Sequence, residues 1–130
     1  MPPMKMVHAI DPAQELMAKV GDLSTVELFH NKILLATYIP PETTKSGIIL
    51  TSKTRDESKW QGKAHLVIKK GPLAFVDDEI SKFHGQSVEV GDWVFIRVAD
   101  GVPLDVNGVR CRIVEEAHIM GRISSPDVVF

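Results

Sequence analysis

Val102-Pro103-Leu104-Asp105-Val106-Asn107-Gly108-Val109-Arg110-Cys111-Arg112-Ile113-Val114 consists of two short apolar runs separated by Asn107-Gly108. The type I′ turn that joins two twisted strands in two residues has positive φ at both central positions, and Asn-Gly supplies it with little strain. The runs 102–106 and 109–114 are therefore read as neighbouring antiparallel strands. Working outward, Val90-Gly91-Asp92 introduces Trp93-Val94-Phe95-Ile96, and Asp100-Gly101 breaks the chain before Val102. Short apolar or alternating runs at 31–37, 63–69, 93–98 and 118–123 complete a set of six predicted strands. Many short strands punctuated by turn residues predict a mainly β fold, a small β-barrel.

Ahead of the strands, Asp11-Pro12-Ala13-Gln14 places an N-cap, a proline at the first helical position and Gln14 at the capping-box position. Leu16, Met17 and Val20 then form one stripe, and Gly21 stops the helix, which is expected at about 12–20. That stripe must pack on something. Between Gly71-Pro72 and Gly85, Val76, Ile80 and Phe83 fall at helical spacing beside polar Asp77-Asp78-Glu79, which predicts a short helix or an irregular excursion. Ser124-Ser125-Pro126 onward reads as a tail, with Val128-Val129-Phe130 able to dock on a neighbour.

Between the first two predicted strands lies Pro40 to Lys59, a polar and charged run headed by paired prolines and holding one apolar island, Ile48-Ile49-Leu50. Its flanks carry too little apolar surface to offset the entropy of ordering them, so the segment is expected to be a long mobile loop. Structureless loops of about 20 residues inside compact domains are uncommon and usually functional. The triplet is thus a candidate docking motif for another protein. Pattern alone leaves open a short edge strand after a Ser46-Gly47 turn, packed inward.

Composition narrows the function classes. A length of 130 residues fits one domain with a short appendage, and a net charge of -2 without a basic face argues against nucleic acid or an anionic membrane as partner. The single cysteine, Cys111, excludes an internal disulfide and fits a reducing cytoplasm. No secretion signal and no apolar run of spanning length occurs in the sequence. The five histidines, His8, His30, His65, His84 and His118, show no metal-ligand spacing, so no metal site is expected. Neither a GxSxG elbow nor a glycine-rich phosphate motif is present, and Asp77-Asp78-Glu79 and Glu115-Glu116 are more simply solvated faces than acid-base pairs. An enzyme is not expected.

Lys45-Ser46-Gly47-Ile48-Ile49-Leu50-Thr51 resembles the mobile-loop signature of the GroES-type co-chaperonins, the chaperonin-10 family. The similarity continues in order along the chain. Leu28-Phe29-His30-Asn31-Lys32-Ile33-Leu34-Leu35 is similar to the family's opening strand, and Gln61-Gly62-Lys63-Ala64 through Lys70-Gly71-Pro72 to the strand after the loop. Val88-Glu89-Val90-Gly91-Asp92-Trp93-Val94 resembles its Val-Gly-Asp-x-Val strand, Val106-Asn107-Gly108-Val109 its Asn-Gly hairpin, and Glu116 to Ile123 its closing strand.

The resemblance implies a GroES-like barrel over 28–123, with the mobile loop at about 39–60 and a roof region at about 72–87. Residues 1–27 are then an N-terminal extension carrying the short helix, and 124–130 a C-terminal tail. Leu73 to Gln86 departs from the family's roof hairpin, and this departure, with the two terminal additions, points to a divergent, phage-encoded member. The implied activity is capping of a GroEL-type double-ring chaperonin, with Ser46, Gly47, Ile48, Ile49, Leu50 and Thr51 binding it. The implied assembly is a heptameric ring closed between neighbours, with Ile33, Leu34, Leu35, Ile119, Met120 and Ile123 as interface residues. No cofactor is expected in this chain, since nucleotide belongs to the partner chaperonin, and the expected location is the cytoplasm. The alternative is a phage virion decoration protein that reuses the barrel as an oligomerising module, with its termini as docking arms.

Overall fold

The computed structural model describes residues 11–39, 63–80 and 82–126. Its first element, α1 (Pro12–Val20), begins where the Asp11 carboxylate accepts a hydrogen bond from the Ala13 N–H at 3.3 Å. Pro12 has no N–H to leave unsatisfied there. At the other end the Gly21 N–H donates to the Met17 carbonyl at 3.1 Å, with φ of 68°, a region glycine enters without strain. Glu15 and Lys19 pair at 2.8 Å one turn apart on the solvent side. The helix therefore spans the residues its caps predicted.

Six strands follow among the described residues: β1 (Lys32–Thr37), β2 (Ala64–Lys70), β3 (Trp93–Phe95), β4 (Val102–Val106), β5 (Val109–Glu115) and β6 (Gly121–Ile123). They form one antiparallel sheet in the order β4-β5-β1-β2-β3-β6. Among the described residues the fold is mainly β with one short α-helix, as expected. Asn107 and Gly108 carry φ of 50° and 81°, the positive pair that a two-residue turn between β4 and β5 requires.

The sheet is covered on both faces, which explains why β1 and β2 read as continuous apolar runs. Leu34, Ala36, Leu66, Ile68, Trp93 and Cys111 gather on one face with Val20, Leu28 and Tyr38, and the α1 residues Ala13 and Leu16 pack against them. Ile33, Leu35, Val67, Val94 and Val114 gather on the other with Ala74, Val88 and Ile96. The alternation of Ile33 and Leu35 against Leu34 and Ala36 is the two-residue period of a strand. Leu34 pairs with Lys69 and Leu35 with Val67, so Ile68 is the extra residue of a bulge in β2.

Two expected elements end differently. The run 93–98 is a strand only to Phe95, because Arg97 turns back to grip Asp100 through two hydrogen bonds of 3.0 Å and the Asp100 N–H donates to the Arg97 carbonyl. The run 118–123 is a strand only from Gly121, because Glu116–His118 forms a 3-10 turn whose His118 Nδ1 accepts from the Glu115 N–H at 3.1 Å.

The segment 71–85 is irregular, and the described residues form no helix there. The carboxylates of Asp77 and Asp78 accept hydrogen bonds from the Phe83 and Ile80 N–H groups, each at 2.8 Å. Short acidic side chains thus take backbone donors that a helix would use internally. Phe75 and Phe83 close the excursion edge to face at 5.3 Å. The Phe75 N–H donates to Glu116 Oε2 at 2.8 Å, which ties the excursion to the 3-10 turn.

Candidate functional site

The expected docking residues Ser46, Gly47, Ile48, Ile49, Leu50 and Thr51 lie outside the described residues. The structure does show what holds the two ends of their segment. β1 and β2 are consecutive and antiparallel, so the connection from Tyr38 to Lys63 leaves and re-enters the sheet at one end. The Tyr38 N–H donates to the Ala64 carbonyl at 3.1 Å, and the Ile96 N–H donates to the Lys63 carbonyl at 3.3 Å. Thr37 stands opposite His65, and both are buried. The Tyr38 ring stands edge-on to Trp93 at 5.7 Å. The two ends are thus anchored about one strand spacing apart, roughly 5 Å, on residues of the apolar core.

The β4–β5 turn lies at this same end. Ala36 pairs with Cys111, so β5 runs from Cys111 back toward Val109 alongside the exit of β1 toward Tyr38. From that turn the Asn107 side-chain amide donates to the Val20 carbonyl at 2.6 Å, fastening the C-terminus of α1 beside the mouth. Lys69 Nζ on β2 donates to the Leu23 carbonyl at 2.8 Å and also to that of Val26. These two tethers span 87 and 46 residues of sequence, and no local pattern signals them.

The six residues expected at a subunit interface divide into two groups. Ile33, Leu34 and Leu35 are wholly buried within the single chain, on a strand flanked by β2 and β5. Their side chains pack in the chain's own core, Leu34 on one face of the sheet and Ile33 and Leu35 on the other. Ile119, Met120 and Ile123 lie at or just before β6, an outer strand of the sheet. Met120 is 60% exposed, whereas Ile119 and Ile123 are half-buried against opposite faces. The other outer strand, β4, carries Pro103 at its second position, where the missing N–H weakens any further strand pairing.

Electrostatics around the sheet are structural in kind. A hydrogen bond and the charge of Lys32, whose Nζ is 2.6 Å from Glu115 Oε1, hold the Glu115 carboxyl below its ordinary range. Its hydrogen bonds with Arg97 do the same for Asp100, and hydrogen bonds from Ser24 for Asp22. Arg112, buried on β5, donates to the carbonyls of Val98 and Asp100 at 2.8 and 2.7 Å and so clasps the turn before β4. Burial pushes the Cys111 thiol up to about 11, which keeps it protonated and poorly nucleophilic. Among the described residues no group of three or more His, Cys, Asp or Glu side chains is placed to hold a metal ion. Among them, too, no helix is long and apolar enough to cross a membrane.

Comparison with protein families brings the order of elements and the strand motifs together. The model of the Cpn10 family, described as the chaperonin 10 Kd subunit, matches residues 25–123. No curated protein matches the chain. The matched span begins after α1 and ends with β6, so it contains the whole sheet.

Proposed function

The chain belongs to the chaperonin 10 family, and from that premise we propose that it caps a GroEL-type double-ring chaperonin through the segment between β1 and β2. A co-chaperonin role follows from the family; the capping geometry is our reading. The observation that carries it is the anchored mouth at Tyr38 and Ala64, from which a segment bearing Ile48-Ile49-Leu50 leaves the sheet and returns. In this reading the triplet enters an apolar groove on the chaperonin, with Ser46, Gly47 and Thr51 beside it. Burying each apolar side chain contributes about 1.5–3 kcal/mol. Ordering each loop residue costs about 1–2 kcal/mol. A single loop therefore binds weakly, and a ring that presents several at once binds through effective concentration.

We assign ring closure to the outer edge of β6, which no other described strand pairs, with Ile119, Met120 and Ile123, in a heptamer. Pairing there removes an open sheet edge from solvent, while Pro103 discourages the same use of β4. Nucleotide binding and hydrolysis belong to the partner chaperonin, and no catalytic step is assigned to this chain. The virion-decoration alternative casts the N-terminal extension as a docking arm. Against it, Val20 is buried in the chain's own core, and Ala13, Leu16, Leu23 and Val26 pack against the same cluster.

The test mixes the purified protein with a double-ring chaperonin, with and without ATP or ADP, and follows co-elution and the refolding of a stringent substrate. Nucleotide-dependent co-elution is expected for the natural sequence and not for Ile49→Asp, which should still form the ring. Capping by Ile49→Asp at the natural strength would refute the assignment of the triplet.

A further inference from the structure

We propose that α1, a helix lying ahead of the matched family span, is a brace that sets the position of the docking segment's base. This inference rests on the reading of the β1–β2 connection as that segment. Three observations meet at one end of the sheet. The Asn107 amide donates to the Val20 carbonyl at 2.6 Å and so fastens the last turn of α1 to the β4–β5 turn. Val20 is buried in the same apolar cluster as Tyr38 and Ala64, the residues whose backbone hydrogen bond closes the mouth. The β1–β5 register brings the Asn107 turn alongside the exit of β1.

The tether at the far side completes the brace. Lys69 holds the carbonyls of Leu23 and Val26, so the chain after α1 is fastened before it turns into β1. Ala13 and Leu16, ahead of both tethers in the chain, pack the helix onto the same apolar cluster. Asn107 occupies a position where its left-handed φ serves the turn and its side chain serves the helix. Removing the side chain while keeping the backbone conformation separates the two tasks, and Asn107→Gly does this. Leu16→Ala weakens the same contact from the helix side and leaves the turn untouched. Both are positioning residues in this account, acting on the docking segment through its base.

The experiment measures amide hydrogen exchange and chaperonin affinity on full-length Asn107→Gly and Leu16→Ala, with Ile49→Asp alongside. Exchange should accelerate by about fivefold within α1, the effect of losing one net hydrogen bond. It should accelerate comparably at the Tyr38 amide, while the amides of Leu34 and Val67 stay protected. Chaperonin affinity should fall by a similar factor per loop with the ring unchanged by sedimentation. If α1 exchanges faster and the Tyr38 amide does not, the brace is refuted, whatever the affinity. If the exchange changes appear but neither they nor Ile49→Asp alters chaperonin binding, the brace stands and the docking assignment fails.

Discussion

Single residues decide where this chain turns and what it tolerates at those turns. A Cβ on Gly71 would meet the carbonyl oxygens of His30 and Lys32 at 2.6 and 2.9 Å, and the Gly71 N–H donates to that Lys32 carbonyl at 2.7 Å. Backbone atoms cannot swing aside as a side chain does, so Gly71→Ala must push the end of β2 away from the start of β1. A loss of about 1–3 kcal/mol is expected, the usual range for overpacking, and thermal unfolding should show it as a midpoint several degrees lower. The carboxylates give a second residue-scale expectation. Glu115 and Asp100 have their pKa values lowered from ordinary values of 4.5 and 3.8, the first by Lys32 and the second by Arg97. Lowered carboxylates take up protons more readily in the unfolded chain, so their contribution is complete above those ordinary values. It is lost as pH falls through the folded pKa values. Stability in chemical denaturation should therefore hold from pH 7 to about 5 and decline below about 4.5. Glu115→Gln should remove part of that decline, and an unchanged acid profile in this variant would show that the Lys32 pair does not couple folding to protons.

Secondary elements show which signals a sequence carries openly. Asp11-Pro12 and Gly21 bounded α1 because caps act within one turn, and Asn107-Gly108 announced its hairpin because both positive φ values fall on adjacent residues. The six strands were legible for the same reason, as their apolar runs lie between turn residues. Residues 71–85 were ambiguous because Val76, Ile80 and Phe83 have helical spacing, while Asp77 and Asp78 consume the backbone donors the helix needs. The burial of Ile33, Leu34 and Leu35 within the single chain was not legible, because apolarity alone does not separate a core strand from an outer one. Only the order β4-β5-β1-β2-β3-β6 puts β1 in the middle. Within the docking reading, Ser46 to Thr51 were legible as a motif, whereas the fastening of α1 by Asn107 and Lys69 was not, since hydrogen bonds between distant residues leave no local pattern. The edge assignment itself can be tested. Met120→Glu together with Ile123→Lys puts two charges at β6 without altering β1 or β2. The expected species is a folded monomer with a native far-ultraviolet spectrum, and a ring of normal size in sedimentation would move the seam elsewhere.

At the scale of the whole molecule, the proposed function depends on many weak contacts acting together. The face of the sheet that carries Tyr38 and Ala64 also carries α1, so in the proposed ring each copy would present its segment from a packed base. Rigid bases matter because linking binding events raises apparent affinity only when every site can engage without straining the rest. Weak individual loops and a strong ring are then compatible, and they also permit release when the partner's groove changes with nucleotide. A synthetic peptide spanning Glu42 to Lys53 should bind the chaperonin about 10²–10⁴-fold more weakly than the assembled ring. Rings assembled from mixtures of natural and Ile49→Asp subunits extend the argument. Because each engaged loop adds its own free energy, the logarithm of affinity should fall in step with the number of variant subunits, so modest doping abolishes capping. Affinity that falls only in proportion to the fraction of natural subunits would mean that a single loop suffices, and the multivalent account of this protein would have to be abandoned.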